Sequence, residues 1–381
     1  MVLIYEELGR YSNGHDGGIT KVAFSPSGTY LATAGLDNRV CIWGVSSKHL
    51  LHSFEGSSTA LSLKWIPPSE DTLLCGLHDG NMAILKIAPT HVSVSGFWAH
   101  AYPVECLAFN PGSKCLASGA RSELLTWLWD EKTSKFNLDS EPGELKKPTS
   151  ETDEVLITSL HWMSAAGSSS LLLVTYMYHG LLLIDTTNWS RCRTIPFHGR
   201  QIASASLSDD GNRLATSNVI RGFEIHSMTT GAPLCSINND AGDASPTPVL
   251  FVHGGLALLG GSTAGMLRIW DVLDTATGDV ELNVPEEEDP EPEVMHELPI
   301  PYHAKTLAID AYYDEDKDEF FVAAGSMSDQ FRSVCLVWRA EEQGNGYMAS
   351  GGRRWRSRVL GAALAVVVIS AAALQYGLLG A

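Results

Sequence analysis

One pattern recurs along this chain and constrains its fold more than any other feature: three short alternating apolar runs joined by two tight turns. Residues 19–43 read Ile-Thr-Lys-Val-Ala-Phe-Ser-Pro-Ser-Gly-Thr-Tyr-Leu-Ala-Thr-Ala-Gly-Leu-Asp-Asn-Arg-Val-Cys-Ile-Trp. Period-two alternation bounded by Ser-Pro-Ser-Gly and Gly-Leu-Asp-Asn predicts strand, turn, strand, turn, strand. The pattern returns at residues 104–129 and 202–225, and a further copy ends in Leu267-Arg268-Ile269-Trp270-Asp271.

The ends of the third strands align at Trp43, Leu85, Trp129, Ile184, Ile225, Trp270 and Trp338, in steps of 42, 44, 55, 41, 45 and 68 residues. Most steps match the period of about 40–45 residues of four-stranded propeller blades. The two long steps carry polar segments, residues 131–153 and 285–301, read as insert loops. The second contains Pro285-Glu-Glu-Glu-Asp-Pro-Glu-Pro-Glu, which cannot pack a core. Its acidity suits a basic partner, although solvation alone accounts for it.

Residues 1–341 resemble the WD-repeat family of β-propellers. The resemblance rests on Trp129-Asp130 and Trp270-Asp271, on Gly14-His15, and on the weaker openers Ala99-His100 and Tyr302-His303. It implies an all-β, seven-bladed propeller over residues 1–342. In that family a His, a Ser or Thr, an Asp and the Trp form a hydrogen-bonded group within a blade. His15, Thr33, Asp37 and Trp43 match it in the first blade; His100, Trp129, Asp130, Trp270, Asp271 and Trp338 mark later repeats. The second blade has Asp79 but Leu85 in place of Trp, and the fourth and fifth lack the Trp. The resemblance also implies that residues 2–11, a lone strand before the first blade, complete the last one.

The end of the chain has a different character. Residues 359–381 hold no charged side chain, and Arg353, Arg354, Trp355, Arg356 and Arg358 stand before them. About 20 apolar residues at about 1.5 Å each cross a bilayer core of about 30 Å. The expectation is a transmembrane helix over 359–379 joined to the propeller by a basic linker, 343–358. Basic flanks stay cytosolic, so the propeller is expected in the cytosol. The arrangement resembles tail-anchored proteins. In these a basic C-terminal flank is associated with mitochondria or peroxisomes, so its absence favours the endoplasmic reticulum over the mitochondrial outer membrane.

Charge narrows the partners. Residues 1–342 carry a net −22 and the remainder +4. Such a domain repels phosphates, so no nucleic-acid partner is expected. The seven cysteines are scattered, with no CxxC pair, and read as reduced thiols.

No catalytic, cofactor-binding or metal site is expected. Residues 314–319, Asp-Glu-Asp-Lys-Asp-Glu, imitate the start of a calcium loop but have Glu319 where the loop needs Gly. They read as a hairpin turn. Residues 260–265, Gly-Gly-Ser-Thr-Ala-Gly, lack the lysine of a phosphate-binding loop and read as another. The expectation is therefore a non-enzymatic, membrane-anchored scaffold that binds other proteins or peptides. Two alternatives follow from related architectures. One is a nucleotide-exchange factor for a small GTPase in vesicle-coat assembly, poorly matched by Gly17-Gly18. The other is a ubiquitin-ligase substrate adaptor, for which Trp129-Asp-Glu-Lys and Trp270-Asp-Val-Leu lack the diagnostic arginine.

Overall fold

Alternation becomes architecture here through burial on both faces. In the first blade, strands Ile19–Phe24, Tyr30–Gly35, Arg39–Gly44 and Leu50–Glu55 pair antiparallel in chain order. The second strand is buried almost throughout, so it reads Leu-Ala-Thr-Ala-Gly rather than apolar-polar. Small residues suit it, because neighbouring sheets converge there. The outer strand alternates, with one face to water.

The computed structural model describes residues 3–140, 154–164, 170–195, 201–219, 222–239, 245–273, 291–328 and 333–342. Among them are seven four-stranded sheets. Blades 1 to 6 span residues 19–55, 60–98, 106–140, 157–195, 202–237 and 249–299. Blade 7 takes three strands from residues 305–342 and its outer strand from the other end of the chain: Leu3–Tyr11 pairs antiparallel with Cys335–Glu342, from Leu3 opposite Glu342 to Tyr11 opposite Cys335. Closure leaves only short sheet edges.

The core is correspondingly divided. The buried apolar residues form clusters at the seams between successive blades. Between blades 7 and 1, Val22, Phe24 and Trp43 pack on Ala308, Phe321 and Val337. Polar contacts cross the seams as well. The Trp65 indole donates to the Ala23 carbonyl at 3.1 Å, and Trp162 to Ala108 at 2.9 Å. Arg213 of blade 5 donates to the Gly255 and Val272 carbonyls of blade 6 at 2.7 and 3.2 Å, with its guanidinium over Phe251.

Two sequence expectations change. The segments 131–153 and 285–301 are not wholly loops, since Lys135–Ser140 and Val294–Pro299 are the outer strands of blades 3 and 6. Outer strands face water on one side, and their polarity imitates an insert. Residues 141–153 and 274–290 lie outside the described residues. So do the linker 343–358, with Arg353, Arg354, Trp355, Arg356 and Arg358, and the expected span 359–379. No helix among the described residues is long and apolar enough to cross a membrane.

Candidate interaction face

In each meander, the turn between the second and third strands lies on the same face as the connection to the next blade. Backbone hydrogen bonds tie the two together: Gly56 N–H to Asn38 O at 2.8 Å, His100 N–H to Gly80 O at 2.9 Å, and Ile300 N–H to Gly265 O at 2.8 Å. Gly80 sits at φ +84°, and a Cβ there would collide with the His100 carbonyl, so this approach requires glycine.

The first blade fixes this face through the expected four residues. Trp43 Nε1 donates to Thr33 Oγ1 at 2.9 Å, and Thr33 Oγ1 lies 2.8 Å from His15 Nε2. His15 Nδ1 lies 3.0 Å from Asp37 Oδ1. One proton arrangement satisfies all of them. Nδ1–H donates to the carboxylate, Nε2 accepts from the threonine hydroxyl, and that oxygen accepts from the indole. Burial pushes the Asp37 carboxyl up, but the hydrogen bonds from His15 and the Asp16 N–H outweigh it and hold it below the usual range.

The third blade repeats the device with different residues. His100 Nε2 lies 2.8 Å from Ser118 Oγ, which accepts from the indole of Trp127 at 2.8 Å. His100 Nδ1 meets Glu123 Oε2 at 3.0 Å. Register explains the substitution. Leu31 pairs with Trp43 and Leu116 with Trp127, so Trp127 occupies the position that the sequence pattern gives to Trp129. The turn is one residue shorter and carries no Asp, and Glu123 on the third strand supplies the carboxylate. Burial lowers the His100 pKa more than Glu123 raises it, leaving a neutral imidazole. Trp129 instead packs against Phe136 at 4.7 Å, and Asp130 caps the following turn through Lys132 N–H and Thr133 Oγ1.

Elsewhere the pattern thins. Trp270 is buried against Phe223, Asp271 accepts from Leu273 N–H at 2.9 Å, and Trp338 lies in the seam between blades 6 and 7. In blade 5 the Trp43 position falls to His226 rather than Ile225, because Leu214 pairs with His226. His226 Nε2 lies 3.3 Å from the buried Glu224. Tyr302 and His303 form a 3-10 turn, with His303 Nδ1 3.4 Å from Ala264 O. Residues 314–319 make the expected hairpin turn, Asp314 accepting from the N–H groups of Asp316 and Lys317. Residues 260–265 join the second and third strands of blade 6.

This loop face displays large apolar side chains. Trp98 is 68% exposed, Tyr302 63% and Leu36 48%. Arg121, which nothing in the repeat pattern singles out, lies 5.0 Å over the ring of the exposed Tyr102. The innermost strands carry polar side chains too. Lys64, His161, Ser206 and Asp310 occupy one register level of the innermost strands of blades 2, 4, 5 and 7. Burial raises the Asp310 carboxyl to about 6 and lowers the His161 imidazole to about 4, with the Lys64 charge acting on both. Asp310 accepts from Phe24 N–H at 2.7 Å and Ser206 from Phe251 N–H at 3.0 Å, so these groups satisfy the inner edges of the next blades.

Comparison with known proteins agrees with the geometry. The model of the WD domain, G-beta repeat family matches residues 6–44 and 91–130. WD repeat-containing protein 90 of Mus musculus is 27% identical over 122 residues, covering 30% of this chain and 6% of that protein. WD repeat-containing protein AAC3 of Dictyostelium discoideum is 24% identical over 163 residues, covering 31% and 34%. Guanine nucleotide-binding protein subunit beta of Solanum tuberosum is 22% identical over 281 residues, covering 69% and 71%. The chain thus spans a small fraction of the length of the WD repeat-containing relatives. It carries WD40 repeats arranged as a seven-bladed propeller, a scaffold that generally binds other proteins.

Proposed function

We propose that this protein is a non-enzymatic interaction platform, held by its C-terminal segment on the cytosolic face of a membrane, whose loop face receives protein or peptide partners. The observation that carries the reading is the exposure of Trp98, Tyr102, Tyr302 and Leu36 on one face of a closed ring. Aromatic anchors and an arginine characterise the energetic centres of protein interfaces. The two histidine-centred groups of blades 1 and 3 hold the turns near Leu36, Trp98 and Tyr102. Attachment to a membrane is supported by the uncharged run 359–381 and its four preceding arginines.

The test is proximity labelling and pull-down from cells with the full chain, with a chain lacking residues 343–381, and with a Trp98→Ala/Tyr302→Ala pair. The reading expects specific protein partners, reduced by the aromatic pair, and a membrane-bound pool lost with the tail. Identical partners from the paired variant would remove the loop face from consideration; a soluble full chain would remove the anchor.

A further inference from the structure

The seven blades act as internal controls for one another, and their outer edges are not alike. An open strand edge invites pairing, and proteins guard such edges with charge or proline. Six of the seven outer strands are guarded. Leu50–Glu55 has Glu55, Lys135–Ser140 has Lys135 and Asp139, and Ser190–Ile195 has Arg191 and Arg193. Pro233–Ile237 begins with proline, Val294–Pro299 has Glu297 and Pro299, and Leu3–Tyr11 has two glutamates and an arginine. The outer strand of blade 2, Val92–Trp98, reads Val-Ser-Val-Ser-Gly-Phe-Trp. It has neither.

That strand is also extended and accessible. It pairs on its inner side with Asn81–Ile87 without interruption, from Asn81 opposite Trp98 to Ile87 opposite Val92. Ser93 to Gly96 are all exposed. Strand geometry puts Val92, Val94, Gly96 and Trp98 on one face and Phe97 on the other. Phe97 is used inside, against Trp127 at 5.1 Å. On the first face Val94 is 42% exposed, and Trp98 is the most exposed large apolar side chain among the described residues. Both are poised to cover alternate side chains of an added strand.

Charge indicates what is added. The edge is neutral, but each end of the blade carries a carboxylate. Asp79 lies beside Asn81 at the Trp98 end, and Asp71 beside Lys86 and Ile87 at the Val92 end. Glu55 of blade 1 projects at the same end as Trp98, sharing Arg39 with Asp16. The propeller as a whole carries −22, which disfavours a second copy of itself and favours a cation-bearing partner.

We propose that the outer edge of blade 2 is a strand-addition site for an extended segment of a partner protein, apolar at alternate positions and basic at its ends. The site goes beyond the loop-face reading and does not depend on it.

The probe is a fluorescent synthetic heptapeptide, Arg-Val-Thr-Val-Ser-Val-Lys, titrated against the full chain in detergent by anisotropy, with hydrogen exchange as a second readout. Its counterparts are the same peptide with glutamate at both ends and one N-methylated at alternate residues. The expected result is saturable binding with slowed exchange of the amides of residues 92–98. Affinity should fall at least tenfold for the Val94→Lys variant and for both altered peptides, and stay unchanged for Ser236→Lys on the outer strand of blade 5. Val94 is exposed, so its substitution leaves folding measurable by the same thermal transition as the parent. Equal binding to Val94→Lys, or no saturable binding at all, overturns the proposal. So does a dimer, seen by sedimentation, that Val94→Lys abolishes, because the edge would then serve a second copy of the chain.

Discussion

The hydroxyl of Tyr5 lies 2.7 Å from Nε2 of His253, joining the strand that closes blade 7 to a turn of blade 6 across 248 residues of sequence. Tyr5 also meets His296 edge-on at 5.1 Å, and His253 packs at 4.2 Å against Phe320. The closing strand is therefore held laterally as well as by its own ladder.

Acid should weaken this seam. Burial, with the neighbouring His296, lowers the His253 pKa from 6.5 to about 3. The unfolded chain binds this proton between those values and the folded chain does not, so stability falls as pH drops through that window and is full above it. His296, lowered in the same direction, adds to the effect. Denaturation curves of His253→Asn, which tolerates the positive φ of this turn, should show a flatter slope with pH than the parent. An unchanged slope would clear His253 of the role. Asp310 opposes it in part: its raised pKa contributes stability below the ordinary carboxylate value that is lost as pH rises through about 6.

Thr33→Val should cost about 2–4 kcal/mol of unfolding free energy, because one deleted hydroxyl leaves two buried partners, Trp43 Nε1 and His15 Nε2, without their bond. Urea titration measures it. A loss under about 0.5 kcal/mol, no more than an ordinary surface change, would mean that the four-residue group is not cooperative.

Trp127→Phe and Trp129→Phe separate two indoles only two residues apart. The first should lose about 1–3 kcal/mol by removing the buried indole donor of Ser118 Oγ, while the second keeps its ring contact with Phe136 and should lose less than about 1 kcal/mol. The reverse order of stabilities would restore Trp129 to the blade.

On the proposed anchoring, replacing Arg353, Arg354, Arg356 and Arg358 with Gln should reduce membrane residence and scramble orientation, since basic flanks set topology and attract anionic lipid at about 1 kcal/mol each. Protease protection and flotation of cell membranes report both quantities. Unaltered topology and flotation would detach the arginines from the anchor.

The sequence made the meander and the closing strand legible, because turn residues and alternation are local. Depth within a strand was less so. Trp127 and Trp129 share a face by parity, and the Trp-Asp pair drew attention to the wrong one; only pairing of Leu116 with Trp127 decides. Ile225 is buried in the core, yet the register position of Trp43 belongs to its neighbour His226. Glu123 has no signature in the repeat pattern, because its carboxylate comes from a strand rather than from the turn. Tyr5 and His253 are joined by a contact with no local pattern at all.

Pairing of Leu3–Tyr11 with Cys335–Glu342 has a temporal consequence. During synthesis at about 5–20 residues per second, Leu3–Tyr11 must wait on the order of tens of seconds for its partner strand to leave the ribosome. Blades 1 to 6 have all their strands before then. Throughout that interval the outer strand of blade 7 exists without the three strands it completes. Folding factors that act on it during translation should recognise residues 3–11 first.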